Sequence, residues 1–290
     1  MPRVSYVNGF YQRHENALVH VEDRGYQFAD GVYEVCAVLG GILHDFEGHW
    51  DRLIRSLNDL DIDLPMSKAA FSVVLKQMIA KNRLKDGIVY YQITRGVAPR
   101  DHALAFRPRP SLVVTAKRLD FKDKAMLARH GVAVITTPDM RWARCDIKSV
   151  SLLPNILVKE VARRSQAFEA WMVRDGIVTE GSSTNSWIVD EHGVLRTHPL
   201  GPQVLGGITR QTLCRLAPEL GLAFEERAFT VEEAKAAREA FLSSSSSFVM
   251  PVTEIDGVQI GSGLPGDITL KLSAAYWDYV EGQTGVNYWR

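Results

Sequence analysis

The sequence lacks an excess of charge of either sign. Lysine plus arginine and aspartate plus glutamate each number 34 among 290 residues, so the formal net charge is zero. Proteins that bind nucleic acid or anionic membranes by electrostatics carry a strongly basic surface, which this balance does not favour. We therefore expect no nucleic-acid partner and no membrane partner, and an enzyme that acts on small molecules.

Long apolar runs and paired cysteines are also missing. Nowhere do about 18 uncharged apolar residues follow one another, as a membrane-spanning helix requires. The N-terminus "MPRVSYVNGFYQRHEN" has no apolar signal-peptide core. The three cysteines, Cys36, Cys145 and Cys214, are far apart and form no C-x-x-C pair. These features predict a cytoplasmic protein.

Three common catalytic signatures are absent as well. The eight histidines are scattered, and no two lie four residues apart on a predicted helix, so we expect no metal site. A G-x-S-x-G sequence, which would suggest a serine hydrolase, does not occur. A G-x-G-x-x-G sequence after the first strand, typical of dinucleotide binding, does not occur either.

The sequence pattern predicts an α/β protein of two domains, comprising residues 1–120 and 121–290. Asn8-Gly9 and Gly40-Gly41 lie between apolar runs and predict β-hairpins. An apolar helix face follows Trp50, and a second helix begins after Ser67, a suitable N-cap. The charged stretch "KRLDFKDKAMLARHG" is interpreted as the region that separates the two domains.

The second half alternates predicted strands and helices. A helix should follow Pro154, hairpins should form around "RDG" and "DEHG", and a short helix should open at "GGITRQTLCRL". The run Ser243–Ser247 has apolar flanks, which favour an ordered loop over a linker. The predicted last helix has an apolar stripe of Ile268, Leu272, Ala275 and Tyr279.

Several residues suit the binding of a phosphate group. Gly206-Gly207 precede Ile208 and Thr209 at a helix start, where exposed N–H groups and the helix dipole attract anions. Arg52 and the hydroxyl groups of the serine run, Ser244 and Ser245, would add charge and donors. Taken alone, the two glycines before Ile208 are more typical of an ordinary helix start after a loop than of a phosphate site.

Lys148 in "CDIKSV" is the candidate for covalent chemistry. On its own it is more typical of a solvated surface lysine, but the apolar Ile147 and Val150 indicate a partly buried backbone. Burial favours the neutral amine, which is a nucleophile toward an aldehyde. A phosphate site with such a lysine suggests pyridoxal 5′-phosphate (PLP), whose pyridine nitrogen needs an acidic partner. Glu180 in "VTEGSSTN" is the candidate for that partner.

These motifs together resemble the class IV, fold type IV, PLP-dependent aminotransferases, and most closely the D-amino acid (D-alanine) aminotransferases. The resemblance covers nearly the whole chain. It is carried, in order, by "EDRGYQFADGVYEV", "HWDRL", "YYQITRG", "PRDHA", "RWARCDIKSVSLL", "VTEGSSTN", "GITR" and "PVTEIDG". It implies a smaller N-terminal α/β domain and a larger C-terminal cofactor-binding domain, mainly β-barrel-like with helices.

The resemblance also implies roles for individual residues. Lys148 would be the Schiff-base lysine and would then move the proton of the substrate Cα, and Glu180 would keep the pyridine nitrogen protonated. The implied cofactor-binding residues are Arg52, Lys148, Glu180, Leu205, Ile208, Thr209, Ser244 and Ser245.

Substrate recognition is implied at a second set of positions. Arg100 and His102 match an R-x-H element that, with Tyr33, traps the α-carboxylate of the substrate, and Tyr90 matches another pocket position. Arg100 and His102 would reach the active site of the neighbouring subunit, so a homodimer is implied. Asp101 within this element, and Gly206 before "GIT", depart from the family pattern and affect the side-chain specificity that can be inferred.

The expected function is the transfer of the amino group of a D-amino acid, such as D-alanine or D-glutamate, to a 2-oxo acid. One alternative keeps the cofactor but changes the substrate: a branched-chain L-amino acid transaminase, an (R)-amine transaminase or an aminodeoxychorismate lyase. Another is a non-catalytic or sugar-phosphate-binding protein. Arg100 and His102 favour the D-amino acid hypothesis over the first group, since fold alone does not determine function.

Overall fold

The structure is a computed structural model that describes residues 3–104 and 106–290. The chain divides into two compact units. The first unit comprises residues 1–120 together with Ile147–Ser151, and the second comprises Phe121–Asp146 and Leu152–Arg290. Among the described helices, none has both the length and the apolar character needed to cross a bilayer.

The first unit is built on an antiparallel sheet of six strands, in the order β2-β1-β6-β5-β3-β4. The strands are β1 (Val4–Val7), β2 (Phe10–Arg13), β3 (Gly31–Leu39), β4 (Ile42–Leu43), β5 (Gly87–Thr94) and β6 (Ser111–Arg118). Its helices are α1 (Arg24–Phe28), α2 (Phe46–Asp59) and α3 (Lys68–Asn82).

Local sequence explains the hairpin and the helix start that were predicted in this unit. Asn8 and Gly9 connect β1 and β2 with φ values of 47° and 107°, the positive values that Asn-Gly turns adopt readily. The Ser67 hydroxyl accepts a hydrogen bond from the N–H of Ala70 and caps α3. Both predictions are confirmed.

The core of the first unit lies between the sheet and helices α2 and α3. β5 alternates buried and half-buried residues along most of its length, as expected for a strand with one face on a core. The helices contribute large apolar side chains, including Trp50, Leu53 and Phe71. Ile147 belongs to the same core, although it lies far along the chain.

The second unit contains a mixed sheet of nine strands, in the order β12-β11-β10-β13-β14-β7-β8-β9, with β15 paired to β14. The strands are β7 (Val132–Pro138), β8 (Glu169–Arg174), β9 (Ile177–Gly181), β10 (Asn185–Val189), β11 (Leu195–Thr197), β12 (Phe224–Glu226), β13 (Glu239–Ser244), β14 (Phe248–Ile255) and β15 (Val258–Gln259). Its helices are α4 (Phe121–Ala128), α5 (Leu153–Arg164), α6 (Ile208–Glu219), α7 (Val231–Ala236) and α8 (Asp267–Thr284).

Most elements predicted for this region are present, with two differences. The charged stretch that was interpreted as a separator contains helix α4, which buries Phe121, Ala125 and Ala128. The last helix is present as α8, but of the predicted stripe only Leu272 is buried. The buried residues of α8 are Thr269, Leu272, Ser273, Tyr276, Trp277, Val280 and Thr284.

Candidate active site

Lys148 lies in the segment Ile147–Ser151, which is part of the first unit. Its carbonyl accepts a hydrogen bond from the N–H of Tyr33 at 3.0 Å. Its own N–H donates to the Ser56 hydroxyl on α2 at 3.3 Å. β3 and α2 therefore fix the backbone of the lysine. The side chain is half-buried, and Nζ lies 4.3 Å from the ring centroid of Tyr33.

Tyr33 and Tyr90 form an aromatic pair beside this lysine. Their ring centroids are 5.5 Å apart and the rings are stacked. The Tyr90 hydroxyl donates to Gln92 Oε1 at 2.6 Å. Burial, and then the neighbouring Tyr33, raise the pKa of Tyr90, so this phenol stays protonated at neutral pH. Of the predicted substrate-binding residues, Tyr33 is thus adjacent to Lys148, and Tyr90 stacks on Tyr33.

Arg52 is buried on α2 and is paired with a glutamate of β3. Its Nε and Nη2 donate to the two oxygens of Glu34 at 2.7 and 2.6 Å, the bidentate geometry of a strong ion pair. His49 Nδ1 lies 2.7 Å from the same carboxylate. Burial opposes the charge of Glu34, but Arg52 and His49 outweigh it and lower the pKa of Glu34 to about 2. The predicted phosphate-binding arginine is therefore held in place by an acidic residue.

Arg100 and His102 are exposed but ordered against the aromatic ring of Phe28. The Arg100 guanidinium carbon lies 4.6 Å from the centroid of this ring, and the His102 ring lies 5.7 Å from it. Arg24, which is buried, donates to the carbonyls of Asp101 at 2.6 Å and His102 at 3.5 Å. Within residues 3–104 and 106–290, Arg100 forms no ion pair. Its charge therefore remains available to an anionic ligand.

Glu180, at the end of β9 in the second unit, has a buried and fully oriented carboxylate. Its Oε2 accepts hydrogen bonds from Asn185 Nδ2 and from the N–H of Leu205, each at 3.1 Å. The guanidinium of Arg141 donates to Oε1. Leu205, one of the implied cofactor-binding residues, thus contributes its backbone N–H to Glu180.

Sequence reasoning gave no role to Arg141 and Asn185, which both contact Glu180. Arg141 also donates through Nε and Nη2 to the two oxygens of Asp139, at 2.9 and 2.8 Å. Asn185 Nδ2 additionally donates to the carbonyl of Leu205 at 2.9 Å. Their positions in the sequence could have indicated a role for them. Arg141 lies in the same motif as Lys148, and Asn185 is the last residue of the motif that contains Glu180.

The start of α6 has the features expected of an anion site. Gly207 is the N-cap and provides no side-chain hydrogen bond, and Ile208 and Thr209 are the first helical residues. A Cβ at Gly207 would lie 2.1 Å from Asn185 Oδ1, so this close approach requires glycine. The Thr209 hydroxyl lies 3.4 Å from the hydroxyl of Tyr276. The N–H groups of the first turn have the orientation in which helix termini bind phosphate.

Ser244 and Ser245 lie at the turn between β13 and β14. The Ser244 hydroxyl accepts a hydrogen bond from the N–H of Ser247 at 3.1 Å and lies 3.5 Å from the Ser246 hydroxyl. Both Ser244 and Ser245 are half-buried. The serine run is therefore an ordered turn, as predicted from its apolar flanks.

The predicted site residues are divided between the two units. The first unit contains Tyr33, Arg52, Tyr90, Arg100, His102 and Lys148, and the second contains Glu180, Leu205, Ile208, Thr209, Ser244 and Ser245. Lys148 contacts Tyr33, Tyr33 stacks on Tyr90, and Glu180 contacts Leu205. In the described part of the chain, no group of three or more His, Cys, Asp or Glu residues is arranged to hold a metal ion.

Comparison with known proteins identifies the family. Residues 31–255 match the family model described as amino-transferase class IV. The D-alanine aminotransferase of Bacillus licheniformis is 42% identical over 277 residues, which cover 96% of this chain and 97% of that protein. The D-alanine aminotransferase of Listeria monocytogenes is 41% identical and covers 92% of each chain.

Solved structures are similar over the same extent. A branched-chain amino acid aminotransferase from Escherichia coli superposes with a TM-score of 0.86 at 24% sequence identity. The superposition covers 99% of this chain and 96% of the chain of that enzyme. An aminotransferase from Mycobacterium tuberculosis, solved in a PLP-bound form, superposes with a TM-score of 0.78 at 23% sequence identity. The superposition covers 94% of this chain and 98% of the chain of that protein. At these identities the likeness establishes the fold and not the substrate. The chain therefore belongs to the class IV aminotransferases, the PLP-dependent enzymes of fold type IV.

Proposed function

We propose that this protein is a D-amino acid transaminase that moves the amino group of a D-amino acid, such as D-alanine or D-glutamate, to a 2-oxo acid. The observation that carries the proposal is the placement of Lys148, whose Nζ lies 4.3 Å from the Tyr33 ring on a backbone fixed by β3 and α2. The 42% identity to a D-alanine aminotransferase supports the choice of substrate class.

The chemistry of the donor set fits PLP as the cofactor. Lys148 provides an amine for an aldehyde, and the buried carboxylate of Glu180 provides a partner for a pyridine nitrogen. The glycine-capped start of α6, with Ile208 and Thr209, suits the phosphate group, as do the hydroxyls of Ser244 and Ser245. Arg52 adds positive charge, and Leu205 orients Glu180 through its N–H.

PLP, when bound, accepts the electrons that remain at Cα after a proton is removed. Lys148 would hold the cofactor, and its amine would move the proton at the substrate Cα. Glu180 would keep a proton on the pyridine nitrogen, because a buried carboxylate stabilises a positive charge beside it. Tyr33, stacked on Tyr90, lies against Lys148 and restricts the space on that side of its amine.

The α-carboxylate of the substrate is bound by Arg100 and His102, together with Tyr33. An arginine fork matches a carboxylate in a bidentate manner, and the element is ordered by Arg24 and Phe28. Holding the carboxylate on one side fixes which Cα–H faces Lys148, and this selects one enantiomer. The identity to D-alanine aminotransferases supports selection of the D form.

A homodimer is part of the proposal, with Arg100 and His102 serving the site of the neighbouring subunit. Helix α5 has an exposed apolar face at helical spacing, which supports association with a second copy. Its residues are Leu153, Ile156, Leu157 and Val161, exposed by 67%, 61%, 51% and 47%. The three free cysteines suit the reducing conditions of the cytoplasm, where we propose that the enzyme acts.

The decisive experiment is an absorbance titration of the PLP-loaded protein with D-alanine, L-alanine and L-leucine in separate cuvettes, without an acceptor. We expect D-alanine alone to remove the visible band, and pyruvate to restore it. Loss of the band with L-leucine would instead indicate a branched-chain transaminase, a substrate class known on this fold. No response to any of the three would contradict the proposed function.

A pair of lysine variants tests the role of Lys148. Lys148→Ala should lower turnover by at least ~10³-fold, since it removes both the covalent attachment and the proton carrier. The matched control is Lys124→Ala, because Lys124 also places its nitrogen near an aromatic ring, 5.2 Å from that of Phe168. Retained turnover in Lys148→Ala would exclude the proposed role.

A further inference from the structure

Arg141 is the buried cation of the second unit that connects two acidic residues. Its side chain is only 6% exposed. One edge of the guanidinium, Nε and Nη2, donates to Asp139, and Nη1 donates to Glu180. Nη2 also donates to the carbonyl of Gln203 at 3.0 Å. An arginine fork is rigid and planar, so these bonds fix its position relative to both carboxylates.

The charges around Arg141 alternate in sign. Arg174 Nη2 lies 3.3 Å from Asp139, which is bonded to Arg141, which in turn is bonded to Glu180. Burial works against the charge of Arg141, but the hydrogen bonds to Asp139 and the negative charges of Glu180 and Asp139 outweigh it and raise the pKa of Arg141. Arg141 therefore carries its positive charge at neutral pH.

We propose that Arg141 is a positioning residue that holds the Glu180 carboxylate in the orientation in which it serves the cofactor ring nitrogen. This inference rests on the proposed function. Asn185 and Leu205 both donate to Oε2 of Glu180, and Arg141 donates to Oε1. With donors on one oxygen only, the carboxylate can turn about its terminal bond; a donor on the other oxygen prevents that rotation.

Arg141 also moderates the charge that Glu180 presents. A carboxylate paired with a guanidinium attracts a further proton less strongly than an isolated one. Arg141 thus has two effects on a ring nitrogen beside Glu180: it keeps the acceptor oriented and it limits the acceptor's basicity. We expect orientation to dominate, because a rotated carboxylate loses its hydrogen bond altogether, whereas the charge effect changes only its strength.

The test uses apoenzyme titrated with 15N-labelled PLP. Protein fluorescence gives the dissociation constant, and the 15N chemical shift of the ring nitrogen reports its protonation. Arg141→Gln should weaken PLP binding about 10-fold to 100-fold, the range for loss of a charged hydrogen bond. It should also shift the ring nitrogen toward its neutral form at pH 7. In a Glu180→Gln background, the same change should weaken binding by less than about 2-fold, since the interaction is already lost.

The control is Arg196→Gln. Arg196 bridges Asp190 and Glu225 in the same unit, as Arg141 bridges Asp139 and Glu180, but it lies on β11. It should leave both the dissociation constant and the 15N shift unchanged. If Arg141→Gln does not fold, Arg141→Lys replaces it, because a lysine cannot reach two carboxylates with a fixed fork.

Two results would overturn this inference. One is equal weakening by Arg141→Gln with and without Glu180. The other is a wild-type dissociation constant together with a wild-type 15N shift in Arg141→Gln. Failure of the wild-type apoenzyme to bind PLP would overturn the proposed function itself, so the two failures are distinguishable.

Discussion

Arg52 in the first unit and Arg141 in the second are both buried arginines paired with a glutamate, but they divide their hydrogen bonds differently. Arg52 directs two donors at the single carboxylate of Glu34, whereas Arg141 spans Asp139 and Glu180. In the first pair the acid supports a cation proposed to meet a phosphate. In the second pair the cation supports an acid proposed to meet a ring nitrogen. In both pairs, the buried charged group that is proposed to bind the ligand already has an oppositely charged protein partner.

The largest expected effect is on stability, and it should differ between the Arg52–Glu34 pair and the Arg141–Glu180 pair. Glu34→Ala removes the carboxylate that balances Arg52 in a fully buried setting, and it should lower the free energy of unfolding by about 3 to 5 kcal/mol. Glu180→Ala should cost less, because Arg141 keeps its two hydrogen bonds to Asp139. Urea unfolding curves of both variants measure the difference. Equal losses would show that the two pairs are equivalent for folding.

The second prediction concerns pH. The pKa of Glu34 is lowered to about 2, against burial, by Arg52 and His49. Because the folded-state pKa is lowered, this contribution is complete above the unfolded-state pKa of about 4.3 and is lost as the pH falls toward 2. It amounts to about 3 kcal/mol. Urea unfolding between pH 6 and 3 should therefore show a smaller acid-dependent loss in Glu34→Gln than in the wild type.

Asp139 provides the matching acid group of the second unit. Its pKa is also lowered to about 2, since the hydrogen bonds and charge of Arg141 outweigh its burial. Asp139→Asn should reduce the acid-dependent loss in the same way, over the window from the unfolded-state pKa of about 3.9 down to pH 2. A wild-type pH profile in either variant would mean that the corresponding pair does not control the acid stability of the protein.

The third prediction contrasts Arg52 with Arg100, which rests on Phe28 and has no ion pair in the described part of the chain. Arg100→Ala should lower kcat/KM for D-alanine about 10-fold to 100-fold, as expected for loss of a charged hydrogen bond to the substrate. The affinity for PLP should stay unchanged. The control is Arg107→Ala, an exposed arginine of the same loop that pairs with Asp61. Equal damage to PLP affinity would exclude a role specific to the substrate.

The smallest expected effect compares helix starts in the two units. Ser67→Ala removes one hydrogen bond, from Ala70, and Thr230→Ala removes half of a capping box with Glu233. Each should cost about 1 kcal/mol, with the larger loss at Thr230, because its hydrogen bond is shorter, 3.1 Å against 3.3 Å, and partly buried. Urea midpoints measure both. A larger loss at Ser67 would contradict this ranking.

The parts of the fold that were predicted are those in which local interactions decide the structure. The Asn8-Gly9 hairpin and the helix capped by Ser67 depend on residues that are neighbours in sequence. Helix α4 was missed because two of its buried positions are the small residues Ala125 and Ala128, which make a weak pattern. The face of α8 was misassigned because Thr269 is buried by its hydrogen bonds to Glu239, a partner that the helix sequence does not reveal.

The candidate site shows the same limit. Lys148 and Glu180 were identified from motifs, but Arg141 and Asn185 acquire a role only when β9, β10 and the preceding loop are brought together in three dimensions. Similarly, the sequence suggested a charge on Arg52 without its partner Glu34, which lies on a different element. Motifs identify groups that act on a ligand, whereas the residues that orient those groups depend on tertiary contacts.

The return of the chain to the first unit for only five residues has an evolutionary consequence. Ser149 pairs with Val32 of β3, and Ile147 lies in the core of that unit, so the segment that contains the proposed Schiff-base lysine, Lys148, packs on β3. Recombination between relatives with one crossover near residue 120 would combine this segment with a β3 from another parent. Functional chimaeras should therefore need two more crossovers, one on each side of residues 147–151, so that this segment and β3 come from the same parent.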